Sequence, residues 1–176
     1  MDKIIWKLYS DYEKEERWLN AMSAKGLAFT DYVFCRYKFV DCKPGEYTYR
    51  IELLENLPSH PESRQYIQFM EDNGVEVISN WTRWVYFRKK TDSVPFNIFS
   101  DIDSRITHYK RIGQLYLILG LSQLTIGISQ FSSNFEFSYK ILIPALIFSV
   151  SAILLLGWNS IRKKIKRLNQ ERQLRE

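Results

Sequence analysis

The chain has 176 residues, 45% hydrophobic and 15% aromatic, with a formal net charge of +5. Length and apolar content exclude a disordered chain, a collagen and a disulfide-stapled miniprotein, and leave room for one or two small domains. The charge is uneven: residues 1–109 carry 15 Lys/Arg against 17 Asp/Glu, a net of −2, while residues 110–176 carry 10 against 3, a net of +7. The mean hydropathy of −0.29 therefore averages a polar half and an apolar one.

Residues 1–96 read as an α+β domain. A strand over residues 4–9 leads into a helix that opens with the capping-box pattern Ser10/Glu13 and ends at Gly26. Glu13, Glu15 and Glu16 crowd its first turns, where they suit the helix dipole and are expected to face water. Residues 27–40 are long enough for two strands or one bent strand, and Lys43-Pro44-Gly45-Glu46 reads as a turn. In residues 47–54 the side chains of Tyr47, Tyr49, Ile51 and Leu53 alternate with Thr48, Arg50 and Glu52, a half-buried strand. A second helix follows with Ser59/Glu62 as its capping pair, Pro61 in its first turn and Gly74 after its end. Residues 75–89 again fit one or two strands.

The two parts of this domain look like copies at an offset of 48. Trp18, Leu19, Met22, Gly26, Leu27 and Phe39 fall on Tyr66, Ile67, Met70, Gly74, Val75 and Phe87. Two β-α-β(β) units predict a ferredoxin-like α+β sandwich, an antiparallel sheet of four to six strands with both helices on one face.

Residues 97–111 form a linker, with an amphipathic helix expected from Ser100 as its cap and Ile102, Ile106 and Tyr109 along one side. Residues 112–131 and 141–158 contain no charge. At about 1.5 Å per residue each can cross a hydrocarbon core roughly 30 Å thick. A pair of buried core helices is the competing reading, but both segments lack the charged face of a globular helix. Pro144 is expected near the start of the second helix, where a missing donor costs least. Lys110 and Arg111 precede the first span, and Arg162, Lys163, Lys164, Lys166 and Arg167 follow the second. These basic flanks suit anionic head groups and, by the positive-inside rule, put both termini in the cytoplasm with loop 132–140 outside. No cleavable signal peptide is read in the first residues, and the tail, 159–176, should continue as a basic helix.

In the first span Gly113, Gly120 and Gly127 recur every seven residues, and Gln123 and Gln130 sit three places after the last two glycines. Glycine allows close backbone approach, and buried glutamines can bond across a helix pair. The second span offers Ala145, Ser149 and Ala152 as a small face. Packing of the hairpin on itself is favoured over a homo-oligomer or a foreign helix.

No reaction is written in the chain. His60 and His108 have no ligand spacing, Cys35 and Cys42 read as ordinary thiols, and no phosphate-binding loop or nucleophile elbow occurs. No catalytic residue, cofactor or metal is expected. Arg36, Tyr37, Trp81, Arg83, Trp84 and Tyr86 form a candidate sheet-face binding surface. RNA-binding sheets also stack bases on aromatics, but a net negative domain disfavours nucleic acid, so a protein or small ligand fits better. The competing reading buries these aromatics.

One run is more specific: RIELLENLPSHPESRQYIQFMEDNGVEVISNWTRWVYFRKK followed by PFNIFSDIDSRITHYKRI, preceded by DYEKEERWLNAMSAKG and FCRYKFVDCKPGEYTYRIELL. Over about residues 5–112 it resembles a family of bacterial, mostly Gram-positive, membrane proteins called domain of unknown function 2812. The resemblance implies a bacterial cell-membrane location and gene company with PadR-type regulators, and it supplies no catalytic residues. The expectation is a non-enzymatic two-pass membrane protein whose cytoplasmic domain binds a protein partner, such as a PadR-type regulator, as sensor, tether or adaptor. The alternatives are an accessory or oligomer-forming subunit of a membrane complex and a ligand-binding anchored domain.

Overall fold

The structure, a computed structural model, describes residues 2–91, 96–99, 101–130 and 137–174, with backbone only for 137–140. The chain forms two compact units, Met1–Ile98 and Phe99–Glu176.

The first unit runs β1 (Lys3–Trp6), α1 (Tyr12–Ala24), β2 (Leu27–Val33), β3 (Arg36–Asp41), then β4 (Tyr47–Leu53), α2 (Pro61–Asp72), β5 (Val75–Trp81) and β6 (Trp84–Lys90). The strands make two three-stranded antiparallel sheets, in the orders β1-β3-β2 and β4-β6-β5. Each β-α-β-β repeat thus builds its own sheet with its last strand in the centre. The offset of 48 holds in detail: β2 and β5 start at Leu27 and Val75, and each carries a bulge, between Phe29/Asp31 and Val77/Ser79.

A single ferredoxin-like sheet is therefore not what forms, and the reason lies at the edge of β4. Its outward backbone groups meet side chains of α1 instead of another strand. The Asn20 amide accepts from Tyr49 N–H at 2.8 Å and donates to Tyr49 C=O at 3.0 Å. The Ser23 hydroxyl donates to Tyr47 C=O at 2.6 Å, and the Glu16 carboxylate accepts from Ile51 N–H at 3.1 Å. Positions 16, 20 and 23 share one helix face, so α1 satisfies every second residue of an exposed strand edge. At the other border Ser79 Oγ accepts from Tyr32 N–H and donates to Tyr32 C=O, joining β2 to β5 through a side chain.

Local chemistry sets the helix ends. Asp11, not Ser10, caps α1 and accepts from Glu13 N–H at 3.0 Å. His60, not Ser59, precedes α2 and makes no side-chain cap bond; Pro61 at the first helical position needs no donor there. Gly26 and Gly74 follow the C-caps with φ of +80° and +76°. That left-handed conformation ends a helix most readily at glycine.

Two cores result. Leu19 and Met22 of α1 pack with Phe29, Tyr37, Phe39, Tyr49, Ile51 and Tyr86, so α1 and both sheets share one core. The far face of the second sheet packs Val75, Val85 and Phe87 against Met70 of α2, and Phe96 and Ile98 close over that cluster.

The second unit holds α3 (Ile102–Ser129) and α4 (Phe137–Gln173). Both are long and apolar enough to cross a membrane. Asp101, rather than Ser100, which lies outside the described residues, caps α3 and accepts from Ser104 N–H at 2.6 Å. The amphipathic segment and the apolar stretch form one unbroken helix. Because α4 begins at Phe137, Pro144 sits inside the helix rather than at its start. Most of loop 132–140 lies outside the described residues, and the basic tail is helical to Gln173.

The glycine heptads of α3 face α4. An added Cβ would stand 2.9 Å from Leu155 at Gly120, 2.8 Å from the Phe148 ring at Gly127, and 3.4 Å from Ile161 at Gly113. The buried Ser151 hydroxyl donates to Gly120 C=O at 2.8 Å, a bond open only to a close helix pair. Gln123 and Gln130 are half-buried. The residues of α4 that meet α3 thus include Phe148, Ser151, Leu154, Leu155, Trp158 and Ile161. Ala145, Ser149 and Ala152 are exposed, so the small face of α4 points away from the hairpin seam.

Two outcomes are expected. Asn20→Ala leaves Tyr49 N–H without its acceptor, while Tyr49 C=O keeps the Arg50 guanidinium as donor, and should lower unfolding stability by about 2 kcal/mol, read by tryptophan fluorescence in urea with the full chain in detergent. Gly127→Ile should force the helices apart, broadening the distance distribution between spin labels at Leu119 and Leu156 in a background lacking Cys35 and Cys42.

Candidate protein-binding face

Strand alternation divides the first sheet into two faces. Ile5, Tyr37, Tyr32, Phe39 and Phe29 point into the core shared with α1. The other face is built of lateral rows, one across Trp6, Arg36 and Val33, the next across Ile4, Lys38 and Asp31. Trp6 is 70% exposed and Ile4 54%, and Val33 is also exposed. Leu8, two residues beyond Trp6, is exposed too.

The second sheet shows what such a face does when it is covered. Its matching rows are Leu53, Trp84, Trp81 and Ile51, Tyr86, Ser79. There Leu53 and Ile51 are each 1% exposed, because the face packs onto α1 and the inner side of the first sheet. The positions of Ile4 and Trp6 are thus buried in the second repeat and open in the first, while the position shared by Val33 and Trp81 is exposed in both. At the hairpin tips Phe34 stacks on Trp81 with ring centroids 5.8 Å apart, extending the apolar surface beside Val33.

Charges on the open face come in pairs. Lys38 Nζ lies 2.8 Å from Asp2, and Arg36 lies 3.8 Å from Asp31. The Lys38 ammonium, hydrogen-bonded to Asp2, holds that carboxyl below its ordinary value.

The residues expected to share one binding face separate. Arg36 lies on the open face. Tyr37 and Tyr86 are buried, and both hydroxyls donate to Glu15 Oε1 at 2.7 Å. Trp84 is half-buried against Tyr12, with centroids 5.8 Å apart. Arg83 sits in the β5–β6 turn and donates to Glu55 C=O at 2.8 Å, while Trp81 stays partly exposed at the tip. Ile4, Trp6 and Val33 were not singled out in the sequence. The signal was the phase of β1, where Ile4, Trp6 and Leu8 alternate against Ile5 and Tyr9, but apolar residues occupy both phases.

Glu15 also departs from expectation. It is buried between the sheets, not set in water, and Glu16 is half-buried beside Arg50 at 3.2 Å. Burial raises the pKa of both carboxyls above the ordinary value, against the opposing pull of the two tyrosine hydroxyls on Glu15 and of Arg50 on Glu16. Burial and the nearby Glu15 charge push Tyr37 and Tyr86 well up, and burial pushes Tyr49 up to about 12. These tyrosines act as neutral donors.

Among the described residues no group of three or more His, Cys, Asp or Glu could hold a metal ion, and Cys35 and Cys42 are not disulfide-bonded. An open groove at the start of α2 is lined by Glu55, Asn56, Leu57, Ser59, His60, Pro61 and Arg83.

A raised carboxyl pKa has a signed consequence. The native state holds the Glu15 proton more tightly than the unfolded chain, so its stabilisation is full below the unfolded pKa, about 4.3. It is lost as pH rises through the raised folded value. Denaturation midpoints should therefore fall as pH rises above about 4.3, and Glu15→Gln, which still accepts from both tyrosines, should flatten that slope. Equal slopes in the two proteins would contradict it.

No curated protein and no solved structure matches the chain. A family model described as "Protein of unknown function (DUF2812)" matches residues 11–121, from the start of α1 through most of α3. That match takes in all but β1 of the first unit and extends into the first apolar helix, so the chain belongs to the DUF2812 family.

Proposed function

We propose that this chain is a membrane-anchored protein-binding module, which uses the outer face of its first sheet as a docking platform and its two apolar helices as the anchor. The carrying observation is the asymmetry between repeats: Trp6 and Ile4 are open where Leu53 and Ile51 are sealed. An apolar sheet face rimmed by ion pairs is the composition of an interaction site. Clustered basic residues at one end of each apolar stretch favour a cytoplasmic domain with both termini inside a bacterial cell membrane.

The unbroken α3 supports a role as sensor, tether or adaptor, because one rigid element spans the polar and apolar segments. A PadR-type regulator is the partner class suggested by the resemblance. The DUF2812 assignment itself brings no activity with it.

Placing a photo-crosslinking amino acid at Trp6 in cells should trap a protein adduct, while the same group at exposed Lys14 should not. Failure to trap any protein at Trp6, with the chain present in membranes, would overturn the reading.

A further inference from the structure

The open face rests on the reading just given, and its chemistry narrows what covers it. We infer that the occupant is a second copy of the same chain, docked through the same face about a two-fold axis. Three observations converge. The face repeats the position of one that is already a buried packing surface in the second repeat, so its geometry suits a dry, side-chain-filled contact. Stacked units of this kind need a polar outer surface at their ends. The first repeat instead ends in Ile4, Trp6, Leu8 and Val33.

The third observation is charge. Lys38 and Arg36 are balanced by Asp2 and Asp31, so the face carries no net charge and displays both signs within two adjacent strand rows. An anionic bilayer or a strongly acidic partner would select a face of one sign. In a two-fold contact each pairing occurs twice, so Arg36 and Lys38 set against Asp31 and Asp2 of the second copy would be matched by the same pairs in reverse. The four side chains are exposed enough to exchange partners, since their side-chain exposures run from 39% to 61%. Confinement of both copies to one membrane raises their effective concentration, so a face the size of one three-stranded sheet suffices.

The test uses the full chain in detergent and in nanodiscs, with oligomeric state read by light scattering and by label pairs at residue 33. Wild type should be dimeric. Trp6→Glu should weaken the dimer at least tenfold while leaving the near-ultraviolet circular dichroism of the buried tyrosines unchanged. Arg36→Glu should also weaken it, and Arg36→Glu with Asp31→Arg should restore it, because the swap recovers self-complementarity. Because Arg36 and Asp31 also pair within one copy, near-ultraviolet circular dichroism is read for each variant. Loss and rescue of the dimer with unchanged spectra assign the effect to the contact between copies, whereas spectra that change and recover with the dimer overturn that assignment.

A monomeric wild type at about 100 μM would overturn the inference, as would a dimer indifferent to both Trp6→Glu and Arg36→Glu. If the wild type is monomeric while the Trp6 crosslinker still traps a foreign protein, the second copy is wrong and the docking platform stands. If it is monomeric and brominated lipid quenches Trp6 instead, the bilayer surface is the occupant and both readings fail.

Discussion

The first unit depends on one arrangement, a helix acting as the partner of a strand edge. Glu16, Asn20 and Ser23 of α1 meet the backbone of Tyr47, Tyr49 and Ile51 in β4, which would otherwise carry a row of unpaired groups. Because the helix belongs to the first repeat and the strand to the second, the same bonds tie the repeats together. Everything that follows is a consequence of that tie. The second sheet is turned so that its outer side completes the core of the first, and Tyr86 reaches Glu15 alongside Tyr37. A buried carboxylate between two hydroxyls is expensive to desolvate and strongly directional. It fixes which tyrosine faces which sheet more sharply than apolar packing would.

Much of this was legible from residues. The duplication, both helices of the first unit and both apolar helices follow from periodicity, from Gly26 and Gly74, and from uncharged stretches at 112–131 and 141–158, while the strand count stays open between four and six. The glycine heptad predicted a close helix pair, and Gly120 and Gly127 do face α4. What escaped was pairing between elements. Nothing in residues 47–54 says whether the strand edge meets a strand or a helix, since Asn20 and Ser23 look like ordinary surface residues of an amphipathic helix. Glu15 was misplaced for the same reason: a first-turn glutamate suits the helix dipole in water, and only the approach of two tyrosines from different sheets explains its burial. The caps moved by one residue because Asp11 competes with Ser10 for the same role.

The open face was less legible. Of the residues read as one surface, Arg36 lies on that face and Trp81 at the neighbouring hairpin tip, but Tyr37, Tyr86 and Trp84 face inward or sideways. Strand phase separates the two sets, and phase is hard to assign in β1, where Ile4 and Ile5 differ only in direction. The second repeat resolves it after the fact, since a face buried there marks the matching face in the first. The small stripe of α4 was misassigned through a similar ambiguity: Ser149 and Ser151 are both small, and only Ser151 touches α3.

Phe96 and Ile98, beyond the last strand, cover the α2 side of the second sheet and close its cluster of Met70, Val75, Val85 and Phe87. A duplicated unit is thus left with unlike outer faces: the second repeat is sealed by the segment that follows it, while the first leaves Ile4 and Trp6 to make contacts of another kind.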